Sequence, residues 1–421
     1  MPLGVALSGG GVTGILGGVC ALHALDVHAP YPATATVSTV SGGTIGKGVH
    51  VNAGERLGYV AYDSGIEGGA AGSDEVADGR VWFGNIVNYL NWIPMITSTG
   101  ISTGTTTGAT TGTDYSSVQS GWWANAIDLA FWEGYGVHDY DITGGGADDA
   151  TWFANFALIG MEVCPIERDG EGVMVDAEKS LVHAAMNMNT GAISSASDLE
   201  LSLKHSSVLD VMAYSSSFWT ASILEDKMQY FFLKGTIPTG DLGGSDVYLN
   251  DGGIVDTTGI VTLLQQQTDT IVSFYNNNDP LATLNSTFAD LFGVDVATDT
   301  MNSLEGSVLG QVFDEELFPA VIANLTDGNV LRARLSNVKV RDNSFLNVKR
   351  YVVKELIIFS NEYSDEFVDS FQDASIKANL DKEWPNSFPV SMPVLDANML
   401  CMFNDWKVQK YKEELKAVIV Q

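Results

Sequence analysis

The chain has 421 residues, 45% of them hydrophobic, and carries 21 Lys and Arg against 52 Asp and Glu for a formal net charge of −31. The apolar share supplies a sizeable core, and the charge excludes nucleic acid as a partner and opposes strong attraction to anionic lipid surfaces. Cys20, Cys164 and Cys401 lie far apart and form no CxxC pair; unpaired buried thiols in a reducing compartment are expected, with no disulfide and no metal site.

The first predicted strand, Leu3–Leu7, runs directly into Ser8-Gly9-Gly10-Gly11-Val12-Thr13-Gly14, so no signal peptide is expected before it. An almost wholly apolar helix follows over Val12–Leu25. A second β-prone run, Ala33–Val40, ends in Ser41-Gly42-Gly43, and a helix continues over Ile45–Leu57. Each unit reads as strand, sharp glycine turn, helix. Such turns leave backbone N–H groups at a helix N-terminus, where unpaired donors and the helix dipole favour negative charge. A serine at the apex of the second turn has the geometry of a nucleophile elbow. Gly9-x-Gly11-x-x-Gly14 also matches the dinucleotide fingerprint literally, but that fold needs an acid at the end of the second strand. Here the strand ends in Ser38-Thr39-Val40-Ser41, and Asp26 falls before it. Gly42 to Lys47 is one residue short of a phosphate loop. His23, His28 and His50 read as helix-end or packing residues.

Six of the nine tryptophans fall between Trp82 and Trp152. Within that span Thr97–Gly121 is rich in Thr, Gly and Ser and reads as a long loop. Trp123, Ile127, Ala130 and Phe131 recur at helical spacing. The span is either an ordinary aromatic core or a cap with an apolar wall. The loosely spaced His138, Asp139 and Asp141 make no metal motif. Phe156–Val163 reads as a central strand, Leu209–Tyr214 leads into a serine-rich turn, and Met228–Leu233 is another strand. Val247–Asn250 is a strand ending in Asp251-Gly252-Gly253. Helix is expected over Thr258–Gln267, strand over Thr270–Tyr275 and mostly helix over Ala289–Asn324. Val330–Val340 and Val348–Ser360 form an antiparallel hairpin appended to the core. A closing helix over Ala397–Val420 presents Lys407, Lys410, Lys412 and Lys416 as a solvated face. No run of about 18 apolar residues occurs, so no membrane-spanning helix is expected.

Gly9-Gly10-Gly11 with Gly14, Ser41 in its elbow and Asp251 in Asp251-Gly252-Gly253 together resemble the patatin-like phospholipase family, across residues 3–265. The small-residue stretch Val211–Phe218 resembles the segment that precedes the Asp motif in that family. The resemblance implies a three-layer α/β/α fold with a mostly parallel central sheet. It implies a catalytic domain over 1–325, with the aromatic-rich insertion at 82–152, followed by a C-terminal hairpin and helix over 326–421. It further implies a lipid acyl hydrolase that cleaves phospholipid or glycolipid esters through a Ser41–Asp251 dyad. Gly9, Gly10, Gly11 and Gly42 would form the oxyanion hole, and Trp92, Trp122, Trp123 and Phe131 would line the acyl pocket. No metal and no organic cofactor are required. The substrate would be met at a membrane or lipid surface, by an intracellular protein that is soluble or membrane-peripheral. An aspartate with pKa about 3.9 becomes a useful base for serine only when burial and contact raise its basicity. One departure stands out: Thr39 occupies the position of the first glycine in the family's G-x-S-x-G, and its side chain is expected to crowd the elbow. The alternative reading is an inactive member serving as a scaffold, with a protein partner or a second copy.

Overall fold

The computed structural model describes residues 2–53, 61–68, 150–160, 181–190, 193–195, 211–212, 215–216, 233–236, 246–276, 281, 287–294, 310–382, 384 and 394–419. Among these, ten strands form one sheet: β1 (Leu3–Leu7), β2 (Thr36–Val40), β3 (Thr151–Gly160), β4 (Leu181–Asn187), β5 (Ile193–Ser195), β6 (Leu233–Thr236), β7 (Asp246–Asp251), β8 (Thr270–Tyr275), β9 (Arg332–Val340) and β10 (Tyr351–Ser360). The order is β5-β4-β3-β2-β1-β8-β10-β9, with β7 pairing β3 and β6. The five strands from β3 to β10 are parallel to one another. The strands beyond them pair antiparallel.

Parallel strands are covered on both faces, and the alternation of side chains along the strands shows both covers. Leu3, Val5, Leu7, Val37, Val272, Phe274, Ile357 and Phe359 enter one core. Helix α1 (Gly11–His28) closes it with Leu22 and Leu25, and the C-terminal helices close it with Val408 and Leu415. The intervening Ala6, Ile271, Tyr275, Leu356 and Ile358 enter a second core with Ile260, Leu264, Phe288, Phe292 and Val321. The result is a three-layer α/β/α architecture. Helix α2 (Gly42–Ala53) packs against α1.

The C-terminal hairpin forms in the expected antiparallel sense, from Tyr351↔Val340 to Phe359↔Arg332. It is not a separate appendage, because β10 pairs in parallel with β8, Leu356 opposite Ile271. The region expected to be mostly helical from Ala289 is interrupted at its start: a short helix α3 (Thr287–Asp290) turns where Gly293 N–H donates to Asp290 O. The next α-helix among the described residues is α4 (Phe318–Thr326).

Three further expectations are corrected. Cys20 and Cys401 form a disulfide. They are 381 residues apart, and they meet because α1 packs against the long C-terminal helix α5 (Val394–Lys410), a tertiary contact that no local cysteine spacing reports. The inference of a reducing compartment from unpaired thiols thereby loses its basis. Lys407 is not on a solvated face but fully buried, its Nζ donating to Ser360 O at 2.7 Å and Asn361 Oδ1 at 2.6 Å. Burial pushes its pKa well below the usual lysine range. Finally, α1 has the length and apolar composition of a membrane-spanning helix, although it is packed here inside the fold between α2, α5 and β8.

Candidate active site

The register of β3 brings the site together. Its Asn155 pairs with Val40, the last residue of β2, in parallel. Its next residue, Phe156, pairs with Asp251, the last residue of β7, in antiparallel. Because β4 holds the other edge of β3, β2 and β7 meet end to end along the same edge, with their C-termini facing. Ser41 follows β2 and Asp251 ends β7, so neighbouring residues of one strand set the two side chains opposite each other. Ser41 Oγ donates to Asp251 Oδ2 at 2.7 Å, with Ser41 8% and Asp251 1% exposed.

Each partner is held by its own turn. Ser41 has φ 52°, in the left-handed region that costs a non-glycine residue energy and recurs at functional sites. Helix α2 begins at the next residue, and Thr44 N–H and Ile45 N–H donate to Ser41 O. A side chain at Gly42 would collide with Gly11 O, so α2 approaches α1 only because that residue is glycine. Asp251 Oδ1 accepts from Gly253 N–H at 2.7 Å, which leaves Oδ2 for the serine. A Cβ on Gly252 would lie 2.6 Å from Asn155 O, which accounts for glycine after the aspartate.

Two residues that the sequence reading did not single out hold the elbow. Asn155 Nδ2 donates to Ser38 Oγ at 2.9 Å and to Thr39 O at 2.7 Å, and its Oδ1 accepts from Thr262 Oγ1. Ser215 Oγ accepts from Ser41 N–H at 3.0 Å and donates to Asn155 O at 2.6 Å. The signals were available: an amide interrupting the apolar run Phe153–Ala157, and a serine inside the small-residue stretch before the Asp motif.

Thr39 does not crowd the turn. Its buried Oγ1 accepts from Trp152 Nε1 at 2.8 Å, donates to Phe153 O at 3.2 Å and shares a hydrogen bond with Thr44 Oγ1 at 3.0 Å. It acts as a polar bracket between β2, β3 and the first turn of α2.

Of the glycines, Gly9 lies against the serine, where a Cβ would be 3.1 Å from Ser41 Cβ. Its N–H donates to Thr257 O at 2.8 Å, so what Gly9 offers the site is space. Gly10 and Gly11 turn the chain with φ 127° and 56° into the first turn of α1. Such a first turn carries N–H groups that lack intrahelical partners. Trp92, Trp122, Trp123 and Phe131 lie outside the described residues. His50 is not at the dyad: its Nε2 lies 3.2 Å from Asp26 Oδ2.

No family model matches the sequence, and no curated protein matches it. Among solved structures the chain is similar to human GIVD cytosolic phospholipase A2, with TM-score 0.51 and 12% identity over 100% of this chain and 60% of that one. A structure of that protein in complex with methyl gamma-linolenyl fluorophosphonate inhibitor and terbium chloride gives TM-score 0.40 and 13% identity, over 100% of this chain and 59% of that one. This chain therefore spans about three fifths of the length of the solved chains it matches. Identity this low speaks to fold and leaves function to the site. The chain has a three-layer α/β/α fold similar to that of this human cytosolic phospholipase A2.

Proposed function

We propose that this protein is a lipid acyl hydrolase of the patatin-like kind, acting through a Ser41–Asp251 dyad. The observation that carries the reading is the buried 2.7 Å hydrogen bond from Ser41 Oγ to Asp251 Oδ2 at the apex of a strand-turn-helix elbow. Asp251 takes the serine proton as Oγ attacks the ester carbonyl, and returns it to the departing alcohol. The acyl group is left on Oγ; a water then gives its proton to Asp251 and attacks the acyl carbon, and Asp251 hands that proton to Ser41 Oγ as the acyl–Oγ bond breaks and the fatty acid leaves. With nucleophile and base already in contact, no entropy is spent on bringing them together. The developing oxyanion falls to the N–H groups of Gly10 and Gly11, with Gly42 beside them. Gly9 keeps that space open, and Ser41 N–H is excluded because Ser215 holds it. Phospholipids and glycolipids are the substrate class, from the motif resemblance and the phospholipase A2 fold. Trp92, Trp122, Trp123 and Phe131 are assigned to the acyl pocket.

A fluorophosphonate probe tests the reading, since it labels an activated serine and ignores an idle one. The folded protein should take one equivalent at Ser41, Ser41→Ala should take none, and a lipid extract should lose esters only with the wild type. Absence of both labelling and ester loss in folded wild-type protein would overturn the enzyme and favour an inactive scaffold.

A further inference from the structure

Helices α1 and α2 meet along matched rows spaced four residues apart, and the rows end on something other than packing. On α2 the row is Gly42, Gly46, His50; a Cβ at Gly42 would collide with Gly11 O, and one at Gly46 would lie 2.7 Å from Ile15 O. The facing row on α1 is Gly11, Ile15, Val19, His23. Close approach at the glycine rungs carries through to the last rung, where the His23 and His50 rings meet edge to face with centroids 4.9 Å apart. Asp26, three residues after His23 and so beside it on the helix surface, brings Oδ2 to 3.2 Å from His50 Nε2.

We propose that His23, Asp26 and His50 form a binding site for a first-row divalent transition metal of the zinc class. One ligand atom from each residue lies within 4.8 Å of the others. With metal–ligand bonds of about 2.0–2.1 Å, a tetrahedral site needs ligand atoms roughly 3.3 Å apart. His50 and Asp26 already have that spacing, and His23 closes on them by about 1.5 Å, within reach of a side-chain rotation. Two imidazoles and one carboxylate suit zinc or cobalt better than calcium or magnesium, which take oxygen ligands. Asp26 is 46% exposed, which gives the ion an entry path and leaves room for water as the fourth ligand. His50 stands nine residues beyond Ser41 along α2, roughly 14 Å at 1.5 Å per residue. The ion would therefore clip together the helix behind the glycine turn and the helix behind the serine, without touching the chemistry. The inference is independent of the proposed hydrolase activity.

The test uses the full chain, stripped with a chelator and titrated with Co²⁺ while its visible absorption is followed. One equivalent should bind, displaced by Zn²⁺, with a saturable rise in melting temperature. His23→Gln and His50→Gln should each weaken binding by about tenfold or more, and the double variant should abolish it. Asp26→Asn changes only an exposed side chain; it keeps the test decisive if the histidine variants fail to fold, and it should weaken Co²⁺ binding while far-UV circular dichroism stays unchanged. Three results would each overturn the site: no stoichiometric Co²⁺ band, binding unchanged by Asp26→Asn or by the folded double variant, or an equal thermal shift with Ca²⁺. The last would mark a general counterion effect on a chain of charge −31.

Discussion

Ser41 Oγ and Asp251 Oδ2 share one hydrogen bond, so on the proposed mechanism loss of either atom removes the same step. Ser41→Ala and Asp251→Asn should each abolish ester hydrolysis with the melting transition nearly intact, and the double variant should be little worse than either single, because the pair acts as a unit. Thr39 carries the opposite expectation. Thr39→Val keeps the shape and deletes the hydroxyl, leaving the Trp152 indole N–H buried without its acceptor, a loss of about 1–3 kcal/mol in urea unfolding. Thr39→Gly loses the same bracket and should gain no activity from the smaller residue. His183 on β4 sets a pH dependence. Burial, only partly offset by Asp256, lowers its pKa from 6.5 to about 4. The unfolded chain thus binds this proton more readily, so stability is full above pH 6.5 and falls as pH drops toward 4, by roughly 3 kcal/mol. His183→Gln should flatten that part of the stability–pH curve. Ser41 and Asp251 were legible because each is announced by neighbours that its own turn requires. Asn155 and Ser215 were not, because their partners lie between 60 and 174 residues away in sequence, and an amide in an apolar run or a serine in a small-residue stretch does not say what it will hold.

Between elements, the decisive contact is the one that brings α2 onto α1. Gly46→Ala would put a methyl group 2.7 Å from Ile15 O, and the helix must shift to make room. That should cost about 1–3 kcal/mol in stability. It should also lower turnover, since α2 starts at the residue after Ser41, the proposed nucleophile; chemical unfolding and ester hydrolysis measured together read both effects. The strand-turn-helix units at β1 and β2 were readable because apolar runs and glycine turns are local signals. The pairing of β7 with β3 was not readable, nor was the entry of β10 beside β8. Periodicity states that a segment is a strand, and only tertiary packing decides which neighbour it takes and in which direction.

For the molecule as a whole, the first and last long helices are joined covalently. The Cys20–Cys401 disulfide encloses most of the chain, and crosslinks across long loops restrict the unfolded ensemble most. Cys401→Ser should therefore lower unfolding stability by about 2–4 kcal/mol, and a reductant should destabilise the wild type but not the variant. Nothing in cysteine spacing hinted at this pair, whereas the layered fold was expected from the motif resemblance, and its strands and helices from local pattern.

The shared edge of β3 also bears on how such a protein changes over generations. Ser41 and Asp251 are positioned by counting residues along three short strands. The number of residues between Ala53 and Thr151, or between Gly160 and Asp246, does not enter that count, although β4 and Ser215 in the second stretch brace β3 and the Ser41 turn. A change of length in those connections leaves the count untouched, while a single residue added inside β2, β3 or β7 would turn one of the two side chains to the wrong face. Drift is therefore cheap in the long connections and nearly forbidden in some twenty positions. If Ser41 and Asp251 act as proposed, a chain of this architecture is free to take new substrates by remaking what surrounds them.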